Sequence, residues 1–199
     1  SFTIIFCHKE KYMSDVRARL KDKKRIVVKI GSSSLMYADT GLLNIGKVEK
    51  LARILADLRN AGNDVCLVSS GAISTGRNSL TRNNNSNTLS FKQACAAIGQ
   101  AKLIAHYQRF FAEYSINTAQ VLLTEIILAD EESRVNALNT FNELFKLGAI
   151  PVVNENDSIS TEEIKYVHTF GDNDRLSAIV AKLVDADLLV ILSDIDGMY

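Results

Sequence analysis

Several features that would place this chain in a common class of proteins are scarce or absent. Its three cysteines, Cys7, Cys66 and Cys95, form an odd number at wide spacings, which fits neither a disulfide framework nor a metal-binding pattern. Lys and Arg total 23, as do Asp and Glu, and the net charge of zero argues against a nucleic-acid or membrane-surface partner. No apolar run approaches the roughly 20 residues that a membrane span needs. We therefore expect a cytoplasmic protein whose thiols are buried and reduced.

Familiar phosphate-binding motifs are missing as well. No Gly-x-Gly-x-x-Gly follows the first apolar strand, which counts against a dinucleotide-binding Rossmann domain and so against a dehydrogenase. No Gly-x4-Gly-Lys-Ser/Thr is present, which excludes a P-loop. The histidines His8, His106 and His168 stand alone in the sequence, so we assign no metal-binding residues. A phosphate site in this chain requires another arrangement.

The stretch Arg25–Leu35 holds the most informative residue of the chain. Residues 26–30 read Ile-Val-Val-Lys-Ile, a run that predicts a buried strand, and Gly31 and Ser32 follow it. A buried ammonium such as that of Lys29 is costly unless an anion meets it. One interpretation places Lys29 on a solvated face of the sheet. We favour the other, a phosphate or carboxylate pocket, because the neighbouring residues are apolar and do not alternate with polar ones.

The rest of the chain repeats one pattern of apolar strand, polar break and amphipathic helix. This alternation predicts an α/β fold with a mainly parallel sheet and helices on both faces. We expect one domain over residues 14–199, with residues 1–13 as an extension outside the fold. Strands are expected at 26–30, 64–69, 118–123, 150–153 and 188–192, and longer helices at 45–61, 90–114, 130–147 and 175–185. Gly99, inside the second of these helices, indicates the close approach of another backbone.

Small and polar residues recur where the predicted strands end. In a sheet of this kind the ligand lies beyond the carboxyl ends of the strands. Five strands contribute to that edge: Lys29 with Gly31 and Ser32, Ser70 with Gly71, Thr124, Asn154 with Asp157, and Ser193 with Asp194. Each group alone has an ordinary explanation as a turn, a loop or a helix cap. Their coincidence at one edge of the sheet indicates a binding site.

Five motifs resemble those of the amino acid kinase family. They are Val-Val-Lys-Ile-Gly-Ser, Val-Ser-Ser-Gly-Ala-Ile, Val-Asn-Glu-Asn-Asp, Phe-Gly-Asp-Asn-Asp and Leu-Ser-Asp-Ile-Asp-Gly-Met-Tyr. The first and the last are general to the family, whereas the Asn-Glu-Asn-Asp and Gly-Asp-Asn-Asp pair is specific to its glutamate-phosphorylating branch. The resemblance covers roughly residues 25–199 and implies a three-layer αβα sandwich.

The resemblance also implies a reaction and a set of site residues. The reaction is phosphorylation of the γ-carboxylate of L-glutamate by ATP with Mg²⁺, giving γ-glutamyl phosphate, the first step toward proline. Lys29 matches the lysine that contacts the transferred phosphoryl group, and Asp174 matches an aspartate that orients the catalytic lysines. The substrate-binding residues are Ser70, Asp157 and Asn173, with the Gly71 N–H as a further donor. The nucleotide-binding residues are Ser193 and Asp194, beside the phosphate pocket of Lys29, Gly31 and Ser32.

Several alternatives and expectations accompany this resemblance. Acetylglutamate, aspartate and uridylate kinases belong to the same family, and the two Asn-Asp motifs argue against them. A non-catalytic glutamate or proline sensor on the same sheet would keep Ser70, Asp157 and Asn173 but would not need Lys29. We expect a homo-oligomer, and inhibition by proline through the glutamate site and residues 158–170. The family has a Gly-rich segment and a second catalytic lysine that we expect beyond residue 199, so that the C-terminal part of the nucleotide lobe is missing from this chain.

Overall fold

Strands and helices alternate along the described part of the chain, which comprises residues 3–6, 22–80, 86–124, 129–159 and 172–193 of this computed structural model. The strands are β1 (Thr3–Phe6), β2 (Arg25–Ile30), β3 (Asp64–Ser69), β4 (Thr118–Leu123), β5 (Ile150–Glu155) and β6 (Leu188–Ser193). The helices are α1 (Ser32–Leu35), α2 (Ile45–Asn60), α3 (Ala72–Asn78), α4 (Leu89–Ala112), α5 (Glu131–Lys146) and α6 (Asp172–Leu183).

The strands form one sheet in the order β1-β6-β2-β3-β5-β4. All neighbouring pairs are parallel except β1 and β6, which are antiparallel at one edge. Lys29 pairs in register with Val68 of β3 on one side and with Ile191 of β6 on the other. The predicted α/β fold with a mainly parallel sheet is therefore confirmed, and β2 lies inside the sheet.

The two faces of the sheet pack against different helices. One face buries Ile26, Val28 and Ile30 of β2 in a core with α2 and α4, to which the helices contribute Val48, Leu51, Leu55, Leu103, Tyr107 and Phe111. The other face buries Val27 in a core with α5 and α6, to which the helices contribute Phe141, Phe145, Leu176 and Val180, and Val184 joins them directly after α6. Because side chains alternate along a strand, Lys29 shares the second face with Val27. The three-layer αβα arrangement is confirmed.

Helices α3 and α4 cross at two glycines. A Cβ atom added to Gly99 would lie 1.8 Å from the carbonyl oxygen of Ala72, and one added to Gly76 would lie 1.8 Å from the carbonyl oxygen of Cys95. Any side chain at either position would collide with the other helix. The close backbone approach predicted at Gly99 is confirmed, and it holds the first turn of α3 against α4.

The amino-terminal end of β2 is anchored by charges that are remote in sequence. Asp187 accepts hydrogen bonds from the backbone N–H groups of Lys24 and Arg25, both at 2.8 Å from Oδ2. These bonds lower the pKa of the Asp187 carboxyl below its ordinary value of 3.8. The Arg25 guanidinium pairs with Asp64 Oδ2 at 3.0 Å and lies 4.8 Å from the centroid of the Phe145 ring. Hydrogen bonds, an ion pair and a cation–π contact therefore hold the edge of the sheet at the amino-terminal end of β2.

Local differences from the sequence predictions concern helix starts and the first strand. Helix α4 begins after Thr88, whose hydroxyl accepts from Phe91 N, and not at the capping-box pattern predicted from Ser90. Helix α6 begins at Asp172 instead of residue 175, and α1 was not predicted. The backbone of Thr3–Phe6 pairs with β6, so these four residues join the sheet, although residues 1–13 were predicted to lie outside the fold. The remaining residues of that segment lie outside the described ranges.

None of the helices in the described ranges is both long and apolar enough to cross a membrane.

Candidate functional site

Lys29 is buried and meets a carboxylate at the carboxyl edge of the sheet. Its side chain lies near the end of β2, on the face covered by α6, and the residue is only 7% exposed. Its Nζ atom lies 2.6 Å from Oδ1 of Asp174, in the first turn of α6. Asp174 is half-buried, so the pair is open to its surroundings on one side. The interpretation that placed Lys29 on a solvated face is wrong. The anion that its ammonium meets is a carboxylate of the chain itself, and the phosphate or carboxylate pocket stays a prediction.

Gly31 lies beside this pair after the end of β2, and Gly71 follows the end of β3. A Cβ atom added to Gly31 would lie 3.5 Å from Lys29 Nζ, so the glycine leaves the space beside the ammonium free of a side chain. Gly71 has a φ of +106°, a left-handed conformation that L side chains rarely adopt, and its missing Cβ would lie 3.7 Å from Ser32 Cβ. The two strand ends are joined by a hydrogen bond from Ser70 N to Ile30 O at 3.1 Å. The predicted residues of both strand ends are therefore brought together.

Asn173 precedes Asp174 in the first turn of α6 and belongs to a chain of buried amides. Its Nδ2 atom donates to Ser70 Oγ at 2.6 Å and to Asn154 Oδ1 at 2.9 Å. Asn154 Nδ2 in turn donates to Gln100 Oε1 at 2.9 Å. Asn173 Oδ1 is buried and has no hydrogen-bond partner within the described ranges. The structure brings together the predicted substrate residues Ser70 and Asn173, and among the described residues the buried Asn173 Oδ1 is left without a donor.

Asp157 lies in the turn that follows β5 and lines a cavity of about 380 Å³. The cavity lies between α4, β4 and the end of β5, and most of its wall is apolar, with Ala96, Ala97, Ala101, Ile104 and Leu122. Gln100 lines the same cavity and also accepts the hydrogen bond from Asn154. Gln100 therefore connects the surroundings of Asp157 with the amide chain of Asn173.

The predicted nucleotide residues are described only in part. Ser193 is the last residue of β6 and is half-buried, whereas Asp194 lies outside the described residues. Residues 160–170 of the segment predicted to bind proline lie outside them as well. Among the residues that the structure describes, no group of three or more His, Cys, Asp or Glu side chains is placed to hold a metal ion.

Two members of the amide chain were not assigned to the site from the sequence. Asn154 was predicted only as a polar residue at a strand end, and no role was predicted for Gln100. A signal was present, because Gln100 shares one face of α4 with Leu103, Tyr107 and Phe111, which are three, seven and eleven residues further on. A glutamine on the buried face of a helix needs a polar partner, and that requirement predicts a buried polar network.

A second buried polar pair lies next to this chain but takes no part in it. The hydroxyl of Tyr107 on α4 lies 2.9 Å from Ser69 Oγ at the end of β3. Burial raises the pKa of the Tyr107 phenol far above its ordinary value, so this group stays neutral. The pair therefore ties α4 to the sheet without placing a charge in the site.

Comparison with known proteins agrees with this arrangement. Residues 24–199 match the amino acid kinase family. The chain is 52% identical over 184 residues to a glutamate 5-kinase of Clostridium perfringens, covering 92% of this chain and 68% of that protein. It is 52% identical over the same share of this chain to a glutamate 5-kinase of Carboxydothermus hydrogenoformans, covering 48% of that protein. For a glutamate 5-kinase of Listeria monocytogenes the identity is 50% and the coverage of that protein 66%.

The chain thus spans about half to two thirds of the length of these curated relatives, with coverages between 48% and 68%. The family match extends over nearly the whole chain and includes every strand from β2 to β6. On this evidence the chain belongs to the amino acid kinase family.

Proposed function

We propose that the protein phosphorylates the γ-carboxylate of L-glutamate with ATP and Mg²⁺, giving γ-glutamyl phosphate as the first step toward proline. The observation that carries the proposal is the buried Lys29–Asp174 pair, next to Asn173, whose amide donates to the Ser70 hydroxyl. The proposal is supported by the names of the relatives and by the resemblance of the Asn-Glu-Asn-Asp and Gly-Asp-Asn-Asp motifs.

The chemistry suits a site with a cation and no general base. A carboxylate substrate is already a nucleophile at neutral pH, so no proton has to be removed from it. The difficulty is to bring this anion to a polyphosphate and to stabilise the charge on the phosphoryl oxygens during transfer. In the proposal Lys29 supplies that stabilisation, and Asp174 holds the ammonium in place. A pre-organised donor of this kind is worth about 3–4 kcal/mol in the transition state.

The substrate's α-amino group is the natural partner of the acceptors beside this pair. Asn173 Oδ1 is a buried acceptor, and Asp157 is one of the residues that line the neighbouring cavity. An ammonium group bound between an amide oxygen and a carboxylate forms charge-assisted hydrogen bonds. Ser70 and the Gly71 N–H are proposed as donors to a substrate oxygen. In this assignment Asn173, Asp157 and Ser70 hold glutamate while Lys29 acts on the phosphoryl group.

The nucleotide is assigned to Lys29, Gly31, Ser32, Ser193 and Asp194. Mg²⁺ in kinases is usually held by one or two carboxylates together with the phosphates of the nucleotide, and it neutralises part of their charge. The proposal assigns no residue of the described part of the chain to this ion. The cytoplasmic location, the homo-oligomeric state and the inhibition by proline stay predictions.

The proposed reaction is tested by trapping the acyl phosphate. The full-length protein is incubated with ATP, Mg²⁺ and hydroxylamine, and the hydroxamate is measured with glutamate, aspartate and N-acetylglutamate as alternative acceptors. We expect the hydroxamate with glutamate at a kcat/KM at least tenfold above the other two. Preference for aspartate or N-acetylglutamate would reassign the substrate, and a protein that binds glutamate but forms no hydroxamate would be a sensor.

A further inference from the structure

The buried amides form a chain with a single direction. Starting from α4, Gln100 Oε1 accepts from Asn154 Nδ2, and Asn154 Oδ1 accepts from Asn173 Nδ2. Asn173 then donates its second Nδ2 hydrogen to Ser70 Oγ. Gln100 is 8% exposed, Asn154 3% and Asn173 4%, so water has little access to these groups. We name these three residues, Gln100, Asn154 and Asn173, the amide relay.

The direction of the amide relay decides which atom of Asn173 is offered to a ligand. Both Nδ2 hydrogens of Asn173 are used within the protein, so the remaining polar atom is the oxygen. A flip of the Asn173 amide alone would bring its oxygen against Asn154 Oδ1, and two acceptors without a hydrogen repel each other. A flip of Asn154 as well would bring its oxygen against Gln100 Oε1. The direction can therefore reverse only if Gln100 flips together with both asparagines.

The amide relay also crosses the edge of the sheet. Gln100 belongs to α4, which packs on one face with Leu103 and Tyr107. Asn173 belongs to α6, which packs on the other face with Leu176 and Val180. Asn154, at the end of β5, joins the two layers. A residue of one helical layer is thus linked to a side chain in the other through one intermediate residue.

We propose that Gln100 is a positioning residue that makes the site selective for a substrate with a free ammonium group. It holds Asn154 and Asn173 in one orientation, so that Asn173 Oδ1 faces the substrate as an acceptor. A site built around a buried acceptor discriminates strongly against an analogue that lacks the matching donor, since the acceptor is then left unsatisfied. This inference rests on the proposed function, because it takes glutamate as the substrate and glutarate, which lacks the amino group, as the discriminating analogue.

The test is a comparison of Gln100→Met with the unmodified full-length protein. Methionine keeps the length of the side chain but removes the acceptor, so that Asn154 and Asn173 are free to flip. We expect the KM for glutamate to rise about tenfold, with kcat within threefold and the KM for ATP within twofold. The preference for glutamate over glutarate in kcat/KM should fall by about the same factor. An unchanged KM for glutamate together with a lowered melting temperature would make Gln100 a structural residue only.

Two variants separate positioning from packing. Gln100→Glu keeps an acceptor toward Asn154 at either carboxylate oxygen, so the KM for glutamate should return to within threefold of the unmodified value. Tyr107→Phe removes a buried hydrogen bond from the same helix, that to Ser69, without touching the amide relay. It should lower the melting temperature and leave the KM for glutamate unchanged. An equal rise of KM in Tyr107→Phe would overturn the proposal.

A double-mutant cycle tests whether Gln100 acts through Asn173. If it does, Gln100→Met should add nothing to the KM of an Asn173→Ala variant, whereas independent effects would multiply. A second measurement does not depend on activity. The Asn173 side-chain amide protons should exchange slowly in nuclear magnetic resonance spectra of the unmodified protein and of Gln100→Glu, and faster in Gln100→Met.

These outcomes distinguish failure of the inference from failure of the proposed function. No hydroxamate with any acceptor would refute the kinase proposal, and the exchange rates would still decide whether Gln100 orders the amide relay. Hydroxamate formation with identical Asn173 exchange and identical KM in Gln100→Met would refute the inference alone.

Discussion

Two neighbouring residues on the first turn of α6 serve two chemically different regions of the site. Asp174 pairs with the buried ammonium of Lys29, whereas Asn173 belongs to the neutral amide relay. A charge near the phosphoryl group interacts most strongly where negative charge develops, which is in the transition state. A chain of neutral amides offers fixed hydrogen-bonding atoms to a substrate that is already bound. The first region should therefore control kcat and the second should control KM.

The largest expected effect comes from removing the charge of the first region. Lys29→Ala should lower kcat about 100-fold or more, because a pre-organised cation stabilises the transition state by about 3–4 kcal/mol. The KM for glutamate should change by less than about threefold. Steady-state kinetics of the full-length protein provide the measurement, with Lys24→Ala as the control, since Lys24 is an exposed lysine next to the same strand. A sensor would bind glutamate equally well in both variants and would show no turnover in either.

The second effect, on the amide relay, should have the opposite kinetic signature. Asn173→Ala removes the acceptor proposed for the substrate's ammonium, and a hydrogen bond to a charged group is worth about 1.5–3 kcal/mol. The KM for glutamate should therefore rise about 10- to 100-fold, with a smaller change in kcat. Titration of glutamate at saturating ATP measures both constants. Equal losses of kcat in Lys29→Ala and Asn173→Ala would abolish the distinction between the two regions.

The sequence predicted the elements that bring both regions together, and it predicted the charged region better than the neutral one. Apolar runs predict buried strands, and apolar residues at helical spacing predict helices. The order of these elements, and the edge of the sheet where the strands have their carboxyl ends, could therefore be predicted. Lys29 was conspicuous because a charge interrupts an apolar run. Gln100 was not conspicuous, because a glutamine within a helix is common and its hydrogen-bond partner Asn154 lies 54 residues away in the sequence. Contacts between residues so far apart depend on tertiary packing, which local sequence patterns do not predict.

The predicted first residues of two helices, α4 and α6, were wrong for a related reason. Ser90 fits the capping-box spacing, yet Thr88 has the extended backbone and accepts from Phe91 N. Which of two candidate residues caps a helix depends on where the preceding chain arrives. The earlier start of α6 matters more, because it places Asn173 and Asp174 inside a helical turn, where their side chains are directed by a rigid backbone.

An intermediate effect should come from the helix crossing that carries Gln100. Gly99→Ala would place a Cβ 1.8 Å from the Ala72 carbonyl oxygen, so α3 and α4 must separate. Overpacking of this kind costs about 1–3 kcal/mol or more, which corresponds to roughly 2–10 °C in the melting temperature. Because Gln100 is the next residue, the KM for glutamate should rise more than kcat falls.

Gly46 offers a matched control for that variant within α2. Within the described ranges, a Cβ atom there would meet only the Asn44 side chain, at an ordinary 3.6 Å. Gly46→Ala should therefore raise the melting temperature slightly, since alanine is favoured over glycine in a helix by about 0.5–1 kcal/mol. A loss of stability in Gly46→Ala as large as that in Gly99→Ala would show that the crossing is not the cause.

The smallest effect is expected at the edge of the sheet formed by the amino-terminal ends of the parallel strands. There, Asp187 should influence stability but neither kcat nor the KM for glutamate. Its pKa is lowered in the folded protein by the N–H groups of Arg25 and Lys24, so it stabilises the fold above its unfolded pKa near 3.8. That contribution is lost as the pH falls through the lower folded pKa. Asp187 is exposed, and Asp187→Asn keeps an acceptor, so the melting temperature at pH 7 should fall by only about 2 °C or less. The difference between the variant and the unmodified protein should shrink below about pH 4, and a change in kcat or in the KM for glutamate would contradict the separation of the two edges.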